Sequence, residues 1–236
     1  RRQRQMCIRD SGKLHAIAKG VRRTTSRKAG HLEPFMRTQL LLAAGRDLEV
    51  VTQAEGRERF PDLRADLWHA TGASYTGELV DRFLADADPH PRLYTLFVET
   101  LRRLDDGARE GQQVQSWLAL RYFEVRLLDA LGYRPGLHTC VGCDTPLRPE
   151  EQGYSAELGG ALCPACLRLS QRRLSLTALK VLRLLQTTTW EALPRLRIDD
   201  ALSGEIESVL QMTLRFHLDR DLKSWPFLRR PTTEHA

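Results

Sequence analysis

The 236-residue chain contains no run of 18 apolar residues, so no transmembrane helix is expected. Its first residues, Arg1-Arg2-Gln3-Arg4-Gln5-Met6, lack the apolar segment of a secretory signal. There is no G-x-G-x-x-G fingerprint, no P-loop and no H-E-x-x-H. The sequence therefore offers neither a nucleotide-phosphate cradle nor a zinc-protease helix. No Ser/His/Asp set stands out, and no internal repeat or low-complexity tract appears. Aromatics make up only 7% of the residues, which limits the number of base-stacking platforms. The reading on these grounds is a non-enzymatic, non-membrane protein of the cytoplasm.

Five cysteines are present, and four of them are clustered as Cys140-x2-Cys143-x19-Cys163-x2-Cys166. With no export signal, clustered cysteines favour a metal over disulfides. Two intervening residues let both thiolates of a turn reach one ion, and nineteen residues leave room for a hairpin that brings the second pair opposite. Gly142 and Pro164 suit the two knuckle turns. Four thiolates close a tetrahedral Zn²⁺ site with no open position for water, so one structural zinc is expected. His138, two residues before Cys140, could substitute as a ligand or be a surface histidine at a helix exit; the second reading is preferred. Cys7 reads as an unstructured thiol.

A zinc deaminase needs H-x-E followed by P-C-x-x-C. His31-Leu32-Glu33 matches the first half, but Thr139 and Leu162 stand where the proline belongs. Four cysteine ligands also exceed the three that such an enzyme uses.

The net charge is +6, and residues 1–11 supply +3 of it through Arg1, Arg2, Arg4 and Arg9 against Asp10. Distribution must therefore carry any electrostatic argument. Lys13, Lys19, Arg22, Arg23, Arg27 and Lys28 occur without an intervening acid, in a stretch loosened by Gly20 and Gly30. Such a loop can track a phosphate backbone, or it can be a solvated hairpin tip. Arg168, Arg172, Arg173, Lys180 and Arg183 form a second basic stretch, and Arg215, Arg220, Lys223, Arg229 and Arg230 a third. Both suit solvated helix faces.

Leu14, Ala16 and Ala18 alternate with His15, Ile17 and Lys19, as in a strand. Further strands are expected at Phe35–Ala43 and Leu48–Ala54, joined by a turn at Gly45-Arg46-Asp47. Strands so connected make a small antiparallel unit. From Pro61 the period becomes helical, with Leu93, Leu96, Phe97, Thr100, Leu101 and Leu104 on one face and then Val114, Trp117, Leu118, Val125 and Leu128 on another. Gly132 stops that helix, and Ser175 is placed to cap one carrying Leu179, Leu182 and Leu185. Ile206, Val209, Leu210, Thr213 and Leu214 mark the last. The class is α+β: a disordered or foreign leader at 1–11, a β domain at 12–58, and an all-α domain at 59–236 with a cysteine insertion at 138–168.

The order of these features resembles the recombination mediator RecO family. The resemblance rests on 12–23 (GKLHAIAKGVRR), Leu32-Glu33-Pro34-Phe35, 48–55 (LEVVTQAE), Leu131-Gly132-Tyr133-Arg134-Pro135, the cysteine spacing, and His217-Leu218 with Leu222-Lys223-Ser224. It spans about residues 12–230. The family implies an N-terminal OB fold and a helical domain with a zinc insertion. It also implies binding and annealing of single- and double-stranded DNA, partnership with RecR, contact with single-strand-binding protein, loading of recombinase onto coated strands, and association with the bacterial nucleoid. An OB barrel uses five strands, and only three are legible after Gly12. The expectation is an incomplete barrel in an N-terminally truncated chain. The competing function is a zinc-ribbon protein–protein adaptor whose basic loop is merely solvated.

Overall fold

A computed structural model describes residues 4–5 (backbone only), 12–21, 23, 25–46, 48–193 and 196–228. Its contacts divide the chain into two units: Arg1–Ser116 with Ser224–Leu228, and Trp117–Lys223 with 229–236.

In the first unit, strands β1 (Arg4–Gln5), β2 (Leu14–Ile17), β3 (Arg37–Ala43) and β4 (Glu49–Glu58) form one sheet in the order β1-β2-β4-β3. The short β1 comes from the stretch set apart as a leader, and it pairs antiparallel with β2. β3 and β4 pair antiparallel, with irregular register between Arg37 and Thr38 and between Leu41 and Leu42. β2 and β4, however, run parallel, with Ala16 opposite Glu49 and Ile17 opposite Val50. The sheet is thus mixed rather than wholly antiparallel. A parallel neighbour needs a crossover, and residues 18–48 supply it by carrying the basic loop and β3 before the chain returns as β4.

Alternation sets the faces of this sheet. Ala16, Ala18, Leu32 and Val51 form its buried centre, with Leu14, Val21, Leu40, Leu42 and Ala54 packed around them. Leu41, one residue out of phase, is 55% exposed on the edge strand. Gly12, left-handed at φ 69°, leads into β2 where a side chain would lie 2.3 Å from the Asp88 backbone nitrogen. The neighbouring Ala87 N–H donates to the Lys13 carbonyl at 2.8 Å. Helices α1 (Pro61–Ala65), α2 (Leu67–Phe83) and α3 (Pro91–Glu110) follow. Arg102 of α3 grips Glu58 at the end of β4 with two hydrogen bonds, at 2.8 and 2.7 Å, and Arg37 of β3 binds the same carboxylate.

Helix α4 (Gln113–Ala130) crosses the boundary between the units. Its residues from Trp117 to Val125 are all buried, including Arg121 and Glu124. An amphipathic reading would put those two charges in water. Instead Arg121 pairs with Glu124 at 2.8 Å and with Glu207 at 3.3 Å, and Trp117 donates its indole N–H to Glu207. A buried charge persists only when paired in this way. Glu207 belongs to α6 (Asp200–Leu218), which packs in the same unit with α5 (Leu176–Thr187). Ser175 caps α5 by accepting the Ala178 N–H at 3.1 Å, as its sequence position suggests. Gly132, at φ 81°, ends the α4 turn where the Tyr133 N–H returns to the Leu128 carbonyl.

The cysteine region is not helical. Strands β5 (Gln152–Ser155), β6 (Gly160–Leu162) and β7 (Arg172–Leu174) form an antiparallel sheet in the order β6-β5-β7. The β5–β6 hairpin is the device that nineteen intervening residues allow. The strand Gly160–Leu162 runs so close to Gly136 that a side chain on Gly160 would fall 2.3 Å from the Gly136 carbonyl oxygen. Tyr154 anchors the sheet, its hydroxyl 2.7 Å from that of Thr213 on α6.

Candidate metal centre and basic loop

Two turns present the four cysteines. In the first, the Asp144 N–H returns to the Cys140 carbonyl at 2.9 Å and the Cys140 N–H donates to Thr145 at 2.8 Å. In the second, Pro164 opens a 3-10 helix, Pro164–Leu169, and the Cys166 N–H returns to the Cys163 carbonyl at 2.9 Å. Gly142 lets the turns approach: a side chain there would sit 3.0 Å from Leu162 and 3.4 Å from the Cys166 sulfur. Thus the two residues singled out for turn geometry do occupy the knuckles.

All four sulfurs lie within 4.8 Å of one another. Cys143 and Cys163 stand 3.7 Å apart. A tetrahedron with metal–sulfur bonds of about 2.3 Å has edges of about 3.8 Å, so the spacing fits one ion. The Cys140 sulfur is buried and accepts the N–H groups of Gly142 at 3.4 Å and Cys163 at 3.3 Å. Hydrogen bonding from the Thr145 hydroxyl and N–H brings the Cys143 thiol down to about 6. The Cys143 sulfur and burial push Cys166 up to about 12. Four sulfurs at this spacing are a donor set that can hold one metal ion. Among the described residues no other His, Cys, Asp or Glu joins this group, and His138 is exposed outside it. Cys7 lies outside the described residues.

Arg183, counted above as a solvated cation, instead braces this region from α5, with two hydrogen bonds to the Leu137 carbonyl at 2.8 and 2.6 Å. Arg173 pairs with Glu151 at 2.7 Å, while Arg168, Arg172 and Lys180 are exposed. In the third stretch Arg215 pairs with Asp221 at 2.8 Å, and Arg229 and Arg230 lie outside the described residues.

The basic loop is a run of tight turns: Arg23 N–H to Gly20, Ser26 to Arg23, Ala29 to Ser26 and His31 to Lys28. It separates the five described cations into two kinds. Lys13 is turned inward, donating to the Asp81 carbonyl at 2.8 Å and pairing with Asp81 and Asp86 at 3.4 and 3.3 Å. Lys28 donates to the Val51 carbonyl at 2.9 Å. Lys19, Arg23 and Arg27 are exposed and make no ion pair among the described residues. Arg22 lies outside the described residues. Charge counting along the chain could not see that Asp81 and Asp86 would meet Lys13.

The fold also assembles a Ser–His–Asp constellation that sequence reading missed. The His69 Nδ1 lies 2.6 Å from the Asp66 carboxylate and its Nε2 lies 3.0 Å from the Ser116 hydroxyl. Burial raises the Asp66 pKa, but hydrogen bonds from the His69 N–H and ring outweigh it and hold the carboxyl below its usual range. Ser116 is fully buried and His69 is 2% exposed. The hydroxyl donates to the Gln112 carbonyl at 3.2 Å and packs against Gly107. A nucleophile needs contact with its substrate, so this geometry is a buried tie between α2 and the first turn of α4. His31, the other half-matched motif residue, is likewise structural, with its Nδ1 accepting the Gly56 N–H at 3.1 Å.

Comparison with known proteins covers most of the chain. The family Recombination protein O C terminal matches residues 64–226, and Recombination protein O N terminal matches residues 6–60. The chain belongs to the RecO family of DNA repair proteins. Among its RecO relatives, the DNA repair protein RecO of Roseiflexus sp. (strain RS-1) is 42% identical over 219 residues, 92% of this chain and 75% of that protein. That of Desulforudis audaxviator is 39% identical over 228 residues, 95% of this chain and 88% of its own. That of Pelotomaculum thermopropionicum is 35% identical over 224 residues. The N-terminal RecO match begins at residue 6, inside the stretch separated above as a leader. Among the described residues, no helix is long and apolar enough to cross a membrane.

Proposed function

We propose that this RecO chain is a recombination mediator without catalytic chemistry, which binds single- and double-stranded DNA and anneals complementary strands. In partnership with RecR it helps load recombinase onto strands coated by single-strand-binding protein. Its place is then the bacterial cytoplasm, with the nucleoid. The observation that carries DNA binding is the turn-rich loop where Lys19, Arg23 and Arg27 project with no acid between them. Backbone N–H groups and hydroxyls of the same loop can add phosphate contacts. Lys13 and Lys28 support the loop rather than touch DNA, and Arg22 joins the contacting set by its place in the sequence.

In this reading the four cysteines hold one structural Zn²⁺, which fixes the two knuckles and leaves no site for water. Cys140, Cys143, Cys163 and Cys166 serve as its ligands, Arg183 steadies the chain entering the first knuckle, and the metal supplies folding free energy rather than chemistry.

A DNA-binding titration over a range of salt concentrations tests the main proposal. Phosphate contacts release counterions, so log K falls linearly with log salt. Arg23→Ala with Arg27→Ala should weaken binding to all sequences alike and flatten the slope by about two. An unchanged slope would return both arginines to solvent and leave the zinc-ribbon adaptor as the better function.

A further inference from the structure

We propose that Cys143 and Cys163 form a peroxide-sensitive thiol pair whose oxidation to a disulfide releases the metal and reports oxidative stress to the lobe that the metal holds. The proposal rests on the zinc reading and adds to it an order of reactivity among the four ligands.

The sulfurs differ in exposure. Cys140 is buried and covered by two N–H donors, Cys163 and Cys166 are half-buried, and Cys143 is exposed. Metal-bound sulfur is thiolate, the form that reacts with peroxide. Access therefore selects Cys143 as the first atom attacked. Its neighbour across the site, the Cys163 sulfur, is at 3.7 Å. Closing to a disulfide bond of about 2.0 Å requires a shift of under about 2 Å, within reach of a side-chain rotation at an exposed turn. Cys140 is the poorer second thiol, because its buried sulfur is already engaged by the two backbone donors that close its knuckle.

The chemistry balances with hydrogen peroxide as oxidant. The Cys143 thiolate attacks one peroxide oxygen, the O–O bond breaks, and sulfenic acid and hydroxide result. The Cys163 thiolate then attacks the Cys143 sulfur, forming the S–S bond and expelling the second hydroxide. Two electrons pass from two sulfurs to one peroxide. Cys140 and Cys166 remain as two ligands, too few to close the site, and they take protons from water as the metal leaves. A dithiol reductant reverses the step. The new bond joins the two knuckles, so the lobe stays cross-linked while it loses the metal.

The test uses the full chain with Cys7→Ser, so that a fifth thiol does not enter the products. Elemental analysis comes first, and a chain without zinc overturns the zinc reading itself rather than the order of reactivity. The zinc-loaded chain is then treated with hydrogen peroxide while released metal is followed with a metal-binding dye and disulfides are mapped by peptide mass. Expected is loss of the one bound zinc together with a dominant Cys143–Cys163 linkage, reversed by dithiothreitol and added zinc. Cys163→His, which keeps four ligands, should slow release by about tenfold or more and leave Cys143 as a sulfenic acid that dimedone traps. If that variant fails to hold zinc, the linkage map of the parent chain decides. Zinc retained at peroxide levels that oxidise free glutathione, or a dominant linkage other than Cys143–Cys163, overturns the proposal.

Discussion

The sheet of residues 4–58 and the sheet of residues 152–174 are both too small to fold on their own, and they solve that problem in different ways. In the first, the residues of β3 alternate between half-buried and exposed, and its centre is built largely from Ala16, Ala18 and Val51. Small side chains bury little area, so the sheet depends on ties to its own helices and the segment between α2 and α3: Lys13 to Asp81 and Asp86, Gly12 against Asp88, Glu58 to Arg102. In the second, every residue of β5 and β6 is buried. Tyr154 ties it to Thr213 of α6, and the four-sulfur cluster brings together the turns that flank it. One sheet is tied to the helices and linker of its own unit, the other to α6 and to a four-cysteine centre, so loss of one set of ties is expected to leave the other in place.

The largest effect should come from the second sheet. Folding of a small metal lobe is linked to metal-binding free energy on the order of 10 kcal/mol. Cys163→Ser should abolish stoichiometric zinc in protein purified without chelator and raise amide exchange across residues 138–174, while residues 37–58 keep their protection. Exchange that rises equally in both sheets would show that the two supports are not independent. Zinc absent from the parent chain would remove the metal from the comparison altogether.

The first sheet has its own critical point. Gly12→Ala places a methyl group 2.3 Å from the Asp88 backbone nitrogen at a left-handed φ. Backbone cannot swing aside as a long side chain can, and the new residue is strained as well. A loss of about 2–4 kcal/mol is expected, read as a lower denaturation midpoint with zinc content unchanged. Stability within about 0.5 kcal/mol of the parent would mean that the contact between Gly12 and the 84–90 segment is not a support of the sheet.

These two regions were unequally legible in the sequence, and the reason is range. The cysteine centre is written in two short turns and one hairpin, so Cys140, Cys143, Cys163 and Cys166 could be grouped from spacing alone. Ser175 and Gly132 are local signals too, and both act as their types suggest. The parallel pairing of β2 with β4 was hidden, because three strands in succession look like a meander and nothing local marks a crossover. The fates of Lys13 and Arg183 were hidden for the same reason. Each looks like a surface cation until Asp81 or the Leu137 carbonyl arrives from 68 or 46 residues away. Arg121 and Glu124, three residues apart on a helix, are buried as a pair, which the apolar periodicity of that helix does not reveal. Family resemblance supplied the OB-like domain and the DNA-handling role, which periodicity and spacing did not reach.

The smallest expected effect concerns the Glu58 tie, and its sign follows from linkage. The Arg102 hydrogen bonds lower the Glu58 pKa, burial opposes them, and Arg37 adds to the lowering, so the carboxyl titrates below its usual range. A carboxylate whose folded pKa is depressed contributes stability above its unfolded pKa, and that contribution is lost as pH falls through the folded one. Arg102 is 46% exposed at its side chain, so solvent screens the pair and the net worth is modest. Glu58→Gln keeps the shape and removes the charge. It should cost about 1 kcal/mol at neutral pH, and the difference from the parent chain should shrink as the pH falls through the folded value. Acid also strips metal from thiolates, but it does so in both proteins and cancels in the difference. Denaturant titrations of the pair at neutral pH and at about pH 3 provide the measurement. A difference that persists unchanged into acid would show that Glu58 supports the sheet through shape and neutral hydrogen bonds, and that the ionic tie to α3 adds nothing to it.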